Sequence, residues 1–128
     1  MNPFFGNIEK KTLNNSYFRQ VIFTGAHSQL VLMCLKPGEE IGFEVHEKVD
    51  QFFRLEQGEA KFIIDGKDFL AKDADAVIVP AGANHNVINT STDKELKLYT
   101  IYSPANHPEG TVHKTLKEAQ EAEKHHHE

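Results

Sequence analysis

The sequence has a single cysteine, no long apolar run and no cluster of basic residues. Cys34 cannot form a disulfide within the chain, which fits a reducing compartment. It lies in the apolar run 30–35 without a neighbouring base, which favours a buried apolar side chain over a catalytic thiol. No stretch reaches the roughly 18 apolar residues that a membrane-spanning helix needs, and the N-terminus has no signal-peptide pattern. We therefore expect a cytoplasmic protein with no membrane partner.

The length and charge of the chain narrow the choice further. Its 128 residues suit one compact domain, residues 1–128, with a modest core. The formal net charge is −5, and the basic residues are scattered rather than grouped. A protein that binds a phosphate backbone needs a basic patch, so nucleic acid is not expected as a partner.

Short apolar and β-branched runs recur between turn signals along most of the chain. This pattern is typical of a β-sandwich or a β-barrel. Asp65-Gly66 marks the clearest hairpin, because both positions tolerate the positive φ of a tight two-residue turn. The predicted strands are 18–24, 29–35, 41–46, 51–56, 60–64, 68–71, 76–79, 85–89 and 96–102.

Two segments of the chain have the spacing of a paired motif. They are Gly38-x5-Glu44-x-His46-x4-Gln51-x6-Gly58 and Ala74-x5-Pro80-x-Gly82-x2-His85-x3-Asn89. Together they resemble the two signature motifs of the cupin superfamily. The spacing is kept, but Glu44 stands where the family usually has histidine, Gln51 where it usually has glutamate, and Ala74 where it usually has glycine.

The resemblance implies an all-β fold, a double-stranded β-helix or small jelly-roll barrel. It covers residues 28–104 and leaves an N-terminal arm, 1–17, and a C-terminal tail, 105–128. One short helix is predicted in the tail, at 114–123, where Leu116, Ala119 and Ala122 share a face. The fold alone does not identify a reaction, because this barrel supports many unrelated activities.

The resemblance also implies a metal site formed by Glu44, His46, Gln51 and His85. The usual three imidazoles and one carboxylate become two imidazoles, one carboxylate and one amide, and the formal ligand charge is unchanged. Glu44 and His46 are two residues apart, so an extended strand projects both from the same face. Oxygen and nitrogen donors without a thiolate suit one divalent ion of iron, manganese, zinc, nickel or cobalt.

The sequence leaves alternatives open within the motifs. Asp50 competes with Gln51 for the third ligand position, although the spacing to Gly58 favours Gln51. Gln51 could instead bind the substrate or a metal-bound water. A strand irregularity could turn Glu44 into solvent, and Asn89 is expected to tie the turn after the second motif.

Polar residues outside the motifs give weaker signals. Tyr99 and Tyr102 lie on opposite faces of an ideal strand, so at most one of them points inward. His113 is expected at the surface, and Arg19 could meet an anionic substrate or lie in solvent. The run of histidines at 125–127 could collect metal ions adventitiously, so the histidine count itself indicates no site.

The function predicted from these features is metal-dependent chemistry on a small molecule. The first hypothesis is an isomerase or lyase whose metal acts as a Lewis acid on a sugar or uronate. The others are a non-haem iron dioxygenase with a bidentate substrate and a cupin that binds a small ligand without turning it over. No catalytic residue is assigned.

A homodimer is expected from the apolar residues of the arm and the strand that follows it. These residues lie outside the motifs and could cover a neighbouring barrel. They are Phe4, Phe5, Leu13, Tyr17 and Phe18.

Overall fold

Two antiparallel β-sheets face each other across one apolar core in the computed structural model, which describes residues 2–126. In chain order the elements are α1 (Ile8–Asn14), β1 (Arg19–Thr24), β2 (Gln29–Leu35), β3 (Glu44–Val45), β4 (Asp50–Gln57), β5 (Glu59–Ile64), β6 (Lys67–Lys72), β7 (Ala76–Val79), β8 (Asn84–Asn89), β9 (Leu96–Ser103), β10 (Val112–His113) and α2 (Leu116–His126). The larger sheet has the order β10-β1-β2-β9-β4-β7, and the smaller one β3-β8-β5-β6. The predicted β-barrel fold is confirmed.

The core forms because side chains alternate between the two faces of each strand. Along β9, every second residue from Leu96 to Tyr102 is buried. The two sheets meet at Phe53 of β4 and Phe62 of β5, whose rings pack edge to face with centroids 5.1 Å apart. Both phenylalanines are fully buried, so this pair joins the sheets at the centre of the molecule.

The strands follow the prediction closely, with one clear shortening. Asp65 and Gly66 adopt positive φ values of 48° and 81° and connect β5 to β6 as predicted. Strand β3 covers only 44–45 rather than the predicted 41–46. The chain deviates at Gly42, whose φ is 102° and whose N–H donates to the side chain of Asn86 instead of to the backbone of β8.

At two turn positions of the motifs, the backbone geometry accounts for the preferred residue type. A Cβ on Gly58 would lie 2.8 Å from the carbonyl oxygen of Glu95, so only glycine fits. Ala74 keeps a φ of 74°, the left-handed conformation for which glycine is the usual residue. Asn89 ties its turn as predicted, because its amide donates to the carbonyl oxygens of Leu35 and Lys94.

The N-terminal arm contains helix α1, which the sequence analysis missed. Asn7 caps this helix by accepting a hydrogen bond from the Lys10 N–H. Seven residues are too few to show a helical repeat, so no periodic signal was available. Strand β10 was missed because its two residues are too few to show the alternation of a strand.

The predicted tail helix is present as α2, with a narrower buried face than expected. Ala119 is buried and Leu116 packs against the core, but Ala122 is exposed. The histidine run 125–127 lies outside the residues whose side chains the structure describes. Among the described helices, neither has the length and apolar character needed to cross a membrane.

The structure separates two of the arm residues that were proposed to cover a second barrel. The prediction for Phe18 is wrong, because Phe18 is buried in the core of its own chain. Phe5 is 96% exposed and remains available to a partner. The homodimer stays a prediction.

Candidate functional site

Three of the four predicted ligands lie together at one end of the barrel. Glu44 and His85 are directly paired across β3 and β8. The Glu44 Oε2 atom lies 3.4 Å from the Nε2 atom of His46, which follows β3. The rings of His46 and His85 have centroids 5.3 Å apart. The side chain of Glu44 is 28% exposed, so the cluster is reached from solvent.

Gln51 enters the same region from the larger sheet, and its orientation is fixed. Its side chain is 2% exposed, and its Nε2 atom donates to the hydroxyl oxygen of Thr100 at 3.0 Å. Thr100 uses its own proton on the carbonyl oxygen of Phe52, so it can only accept from Gln51. The amide oxygen of Gln51 is therefore turned away from Thr100. It is buried and has no hydrogen-bond partner among the described residues.

Asp50, the rival of Gln51, points to the opposite face of β4. It is exposed, and its carboxylate accepts a hydrogen bond from the Ala81 N–H at 2.9 Å. Because successive side chains of a strand alternate, only one of the two residues can face the interior. The structure places Gln51 there.

Both histidines are neutral at neutral pH and present a lone pair. Burial, together with the nearby charges of His85 and Arg19, lowers the pKa of His46 to about 4. Burial also lowers the pKa of His85. The Nδ1 atom of His85 lies 3.2 Å from the carbonyl oxygen of Ala83, so it carries the proton and leaves Nε2 as an acceptor. Metal-binding histidines commonly show this backbone contact.

Glu44 experiences two opposing influences. The pKa of its carboxyl group is raised, because burial, together with the charge of Glu123, outweighs the opposing charge of Arg19. The alternative in which Glu44 turns into solvent is not what the structure shows, since the side chain faces His46.

Tyr102 and His107 add a second polar layer behind the histidines. Tyr102 is the inward tyrosine, and its ring packs edge-on against His46 at 5.8 Å. Its hydroxyl lies 3.2 Å from the Nε2 atom of His107. Burial raises the pKa of Tyr102 and lowers that of His107 to about 3, so a protonated tyrosine hydroxyl lies beside a neutral imidazole. Tyr99 faces outward and packs on Phe52 at 6.0 Å.

The sequence analysis missed His107 because its position depends on a distant residue. The fully buried Gln29 accepts hydrogen bonds from the backbone N–H groups of Asn106 and His107. It also donates to the carbonyl oxygen of His107 at 2.7 Å. Gln29 thus holds this loop against the barrel, and no local pattern around His107 indicates it.

Arg19 and His113 form a pair beside the cluster. Arg19 is 7% exposed, so it does not lie in solvent. Its Nη1 atom lies 3.1 Å from the Nδ1 atom of His113, which sits opposite it on β10. His113 is half-buried rather than on the surface, because this contact draws it toward the barrel.

The fit of a metal ion can be tested on the donor atoms themselves. No group of three or more histidine, cysteine, aspartate or glutamate side chains within residues 2–126 is arranged to hold a metal ion. Two buried polar atoms nevertheless lack a hydrogen-bond partner in the same residues. They are Oε1 of Gln51 and Nε2 of His46, which lies 3.4 Å from the Glu44 carboxylate. Buried polar atoms are nearly always paired, so these two atoms have bonding capacity that a metal ion, a water molecule or a bound molecule can use. The donor types suit a divalent transition metal.

Comparisons with known proteins agree on the fold. A family model described as Cupin domain matches residues 31–102. The chain is 49% identical over 127 residues to the uncharacterized protein YrkC of Bacillus subtilis, covering 94% of this chain and 68% of YrkC. It is 47% identical over 110 residues to the uncharacterized protein L612 of Acanthamoeba polyphaga mimivirus, covering 83% and 68% of the two chains.

A solved structure is also similar over nearly the whole chain. The crystal structure of BH2720 from Bacillus halodurans superposes with a TM-score of 0.91 at 41% identity. The match covers 94% of this chain and 95% of that one. The family match, the identities and the two facing antiparallel sheets lead to one conclusion. The chain belongs to the cupin family.

Proposed function

We propose that this cupin binds one divalent metal ion through Glu44, His46, Gln51 and His85. The metal would act as a Lewis acid on a small polar metabolite, such as a sugar or uronate, in an isomerase or lyase reaction. The observation that carries this proposal is that two buried polar atoms, His46 Nε2 and Gln51 Oε1, have no hydrogen-bond partner among the described residues. A cation would satisfy both atoms at once.

Three of the four candidate ligands are prepared for this role by their surroundings. Ala83 fixes the tautomer of His85, and burial keeps His46 unprotonated at neutral pH. Thr100 orients the Gln51 amide. Metal binding requires deprotonated ligands, so a neutral histidine pair is already in the competent form.

The surrounding residues define what the site can do with a substrate. A bound Lewis-acid metal would polarise a carbonyl or hydroxyl group of the substrate. Tyr102 keeps its proton, because burial raises its pKa, and it holds that proton at its hydroxyl beside His107. The exposed edge of Glu44 leaves the mouth open for a small molecule.

The reaction can be tested with defined metals and substrates. Metal-free protein would be loaded separately with zinc, manganese, nickel, cobalt or iron(II) and incubated with a panel of hexuronates and ketoses. Proton NMR would follow isomerised or ring-opened products, and an oxygen electrode would follow dioxygen. Turnover with zinc or manganese and no oxygen uptake is expected, and His46→Ala should abolish it while His27→Ala, at an exposed histidine, should not.

Other results would support different functions. Turnover that requires iron and consumes dioxygen would indicate the dioxygenase alternative. Metal binding without turnover of any compound in the panel would favour a cupin that only binds its ligand. Turnover that survives removal of every metal would contradict the proposal.

A homodimer in the cytoplasm completes the proposal. Phe5 is 96% exposed in the arm, and covering it with a second copy would remove an apolar surface from water. Sedimentation velocity at micromolar concentration should give a dimer, and Phe5→Ser should shift the population toward monomer. A single monomeric species in the parent protein would contradict this part.

A further inference from the structure

Strand β6 forms an edge of the smaller sheet and is long for that position. Within residues 2–126 the two sheets end at β10, β7, β3 and β6, which have two, four, two and six residues. Natural proteins keep edge strands short, because an uncovered edge is a template to which another strand can pair. Strands β10, β7 and β3 follow this rule, whereas β6 does not.

Strand β6 also exposes two large apolar side chains. Leu70 is 81% exposed and Phe69 is 48% exposed. Phe69 is paired with the buried Phe62 and lies on the inner face, whereas Leu70 is paired with Lys61 and lies on the outer face. Apolar surface therefore meets water on both faces of this strand, and covering it would be favourable.

The backbone of β6 has free hydrogen-bonding groups along its edge. A two-residue turn, 65–66, joins β5 to β6, and in such a hairpin the pair that flanks the turn is hydrogen-bonded. The odd-numbered residues of β6 therefore bond to β5, and Asp68 and Leu70 direct their N–H and C=O groups to the edge. These groups have no partner among the residues that the structure describes. Lys72 ends the free stretch, because its N–H donates to the carboxylate of Asp75.

We propose that β6 is a contact surface for a second copy of this chain, in which the two β6 strands pair antiparallel about a two-fold axis. This pairing joins two four-stranded sheets into one continuous sheet. The surface goes beyond the proposed function and is separate from the N-terminal arm, because α1 lies against β2, β4 and β9 of the larger sheet. The two contacts can therefore be tested independently.

The charges of β6 are self-complementary in one register. A two-fold axis perpendicular to the sheet keeps identical side chains on the same face, so one residue must lie directly opposite its own copy. With Leu70 in that place, Asp68 lies opposite Lys72 of the second copy, and Lys67 lies opposite Asp73 of the second copy. Each charge then has an opposite charge directly across the strand pair, an arrangement that stabilises antiparallel strands.

The neighbouring registers are less favourable. With Asp68 opposite its own copy, two carboxylates meet, and like charges in direct opposition are destabilising. With Phe69 or Ala71 opposite its own copy, Asp68 faces an apolar side chain. The Leu70 register alone matches the charges, and it also lets the two copies of Leu70 exchange two hydrogen bonds through their free backbone groups.

The contact is short, so the association it supports is weak. Stable interfaces bury more than about 1,000 Å², and one strand edge of this length offers less. We therefore expect β6 pairing to be populated at about 0.1–1 mM rather than at micromolar concentration. A dimer formed through the arm at micromolar concentration would not depend on it.

A cysteine at the two-fold axis tests the register directly. Leu70→Cys places two thiols opposite each other at a Cα separation of about 5.5 Å, which a disulfide can span. Asp68→Cys is the matched control, because residue 68 lies on the same face of the same strand but not opposite its own copy. The native Cys34 is buried. Oxidised glutathione takes up the two electrons and two protons that the thiols release when the S–S bond forms.

Both variants are made in a Phe5→Ser background, so that the arm does not bring the chains together, and are oxidised at submillimolar concentration. We expect Leu70→Cys to form the covalent dimer at least about tenfold faster than Asp68→Cys, because pairing holds its thiols at a high effective concentration. Non-reducing gel electrophoresis measures both rates. Equal rates would overturn the inference, since an edge that receives a strand of another protein does not bring two copies of residue 70 together.

Charge reversal provides a second test on the same crosslink. Adding Asp68→Lys to Leu70→Cys places like charges across the strand pair, so the crosslinking rate should fall several-fold at low ionic strength. Adding Lys72→Asp as well exchanges the two charges and should restore the rate. An effect of Asp68 through Lys61 of its own chain, 4.0 Å away, would not be rescued in this way. A rate that stays low in the double reversal would contradict the register.

Discussion

Replacing His46 and His85 together by alanine is expected to abolish cobalt binding at the barrel site. Cobalt(II) reports its own coordination through visible absorption, and titration of metal-free protein gives the affinity. Removing the contacts behind a ligand already weakens metal binding by about 10- to 100-fold. Loss of two imidazoles should therefore weaken it by more than about 100-fold. The chain should end at Lys124, so that the histidines at 125–127 do not contribute.

The matched control for this experiment is His27→Ala. His27 is exposed in the turn between β1 and β2, so its loss removes an imidazole without touching the barrel interior. The His27→Ala variant should bind cobalt with the same affinity as the parent chain. Circular dichroism would verify that the double variant is folded. Equal cobalt affinity in a folded double variant would show that the metal binds elsewhere.

Phe53→Ala is expected to produce the largest loss of stability. Phe53 is fully buried, and its ring contacts Phe62 of the opposite sheet edge to face. Truncating a buried phenylalanine to alanine costs about 3–5 kcal/mol through lost burial and the cavity left behind. That loss is a large fraction of the 5–15 kcal/mol by which domains are typically stable. Urea denaturation followed by circular dichroism would measure it.

Phe5→Ala is the matched control, because it makes the same substitution at an exposed position. Phe5 is almost fully exposed, so its truncation should change the free energy of unfolding by less than about 0.5 kcal/mol. A similar small effect at Phe53 would mean that the two sheets do not depend on this contact.

The sequence predicted the fold well because its signals are local. Motif spacing and two-residue alternation indicated most strands. The spacing to Gly58 favoured Gln51 over Asp50, and in the structure Gln51 is the buried one of the two. The strand β3 was overestimated, because one glycine, Gly42, diverts the backbone within an otherwise suitable run. Helix α1 escaped prediction because it is stabilised by the Asn7 cap rather than by a visible repeat.

The polar surroundings of the site could not be predicted in the same way. Arg19 and His113 meet across 94 residues, and Gln29 and His107 across 78. Neither contact produces a periodic pattern in the sequence from which it could be predicted. The inward direction of Arg19 is decided by its register with Met33, which only the assembled sheet determines.

The proposed metal site is tested most directly by a crystal structure of the chain ending at Lys124, soaked with manganese, with anomalous diffraction data. We expect a single strong anomalous peak in contact with Glu44, His46, Gln51 and His85. No peak at that position, or a peak bound only by other residues, would contradict the proposed metal site.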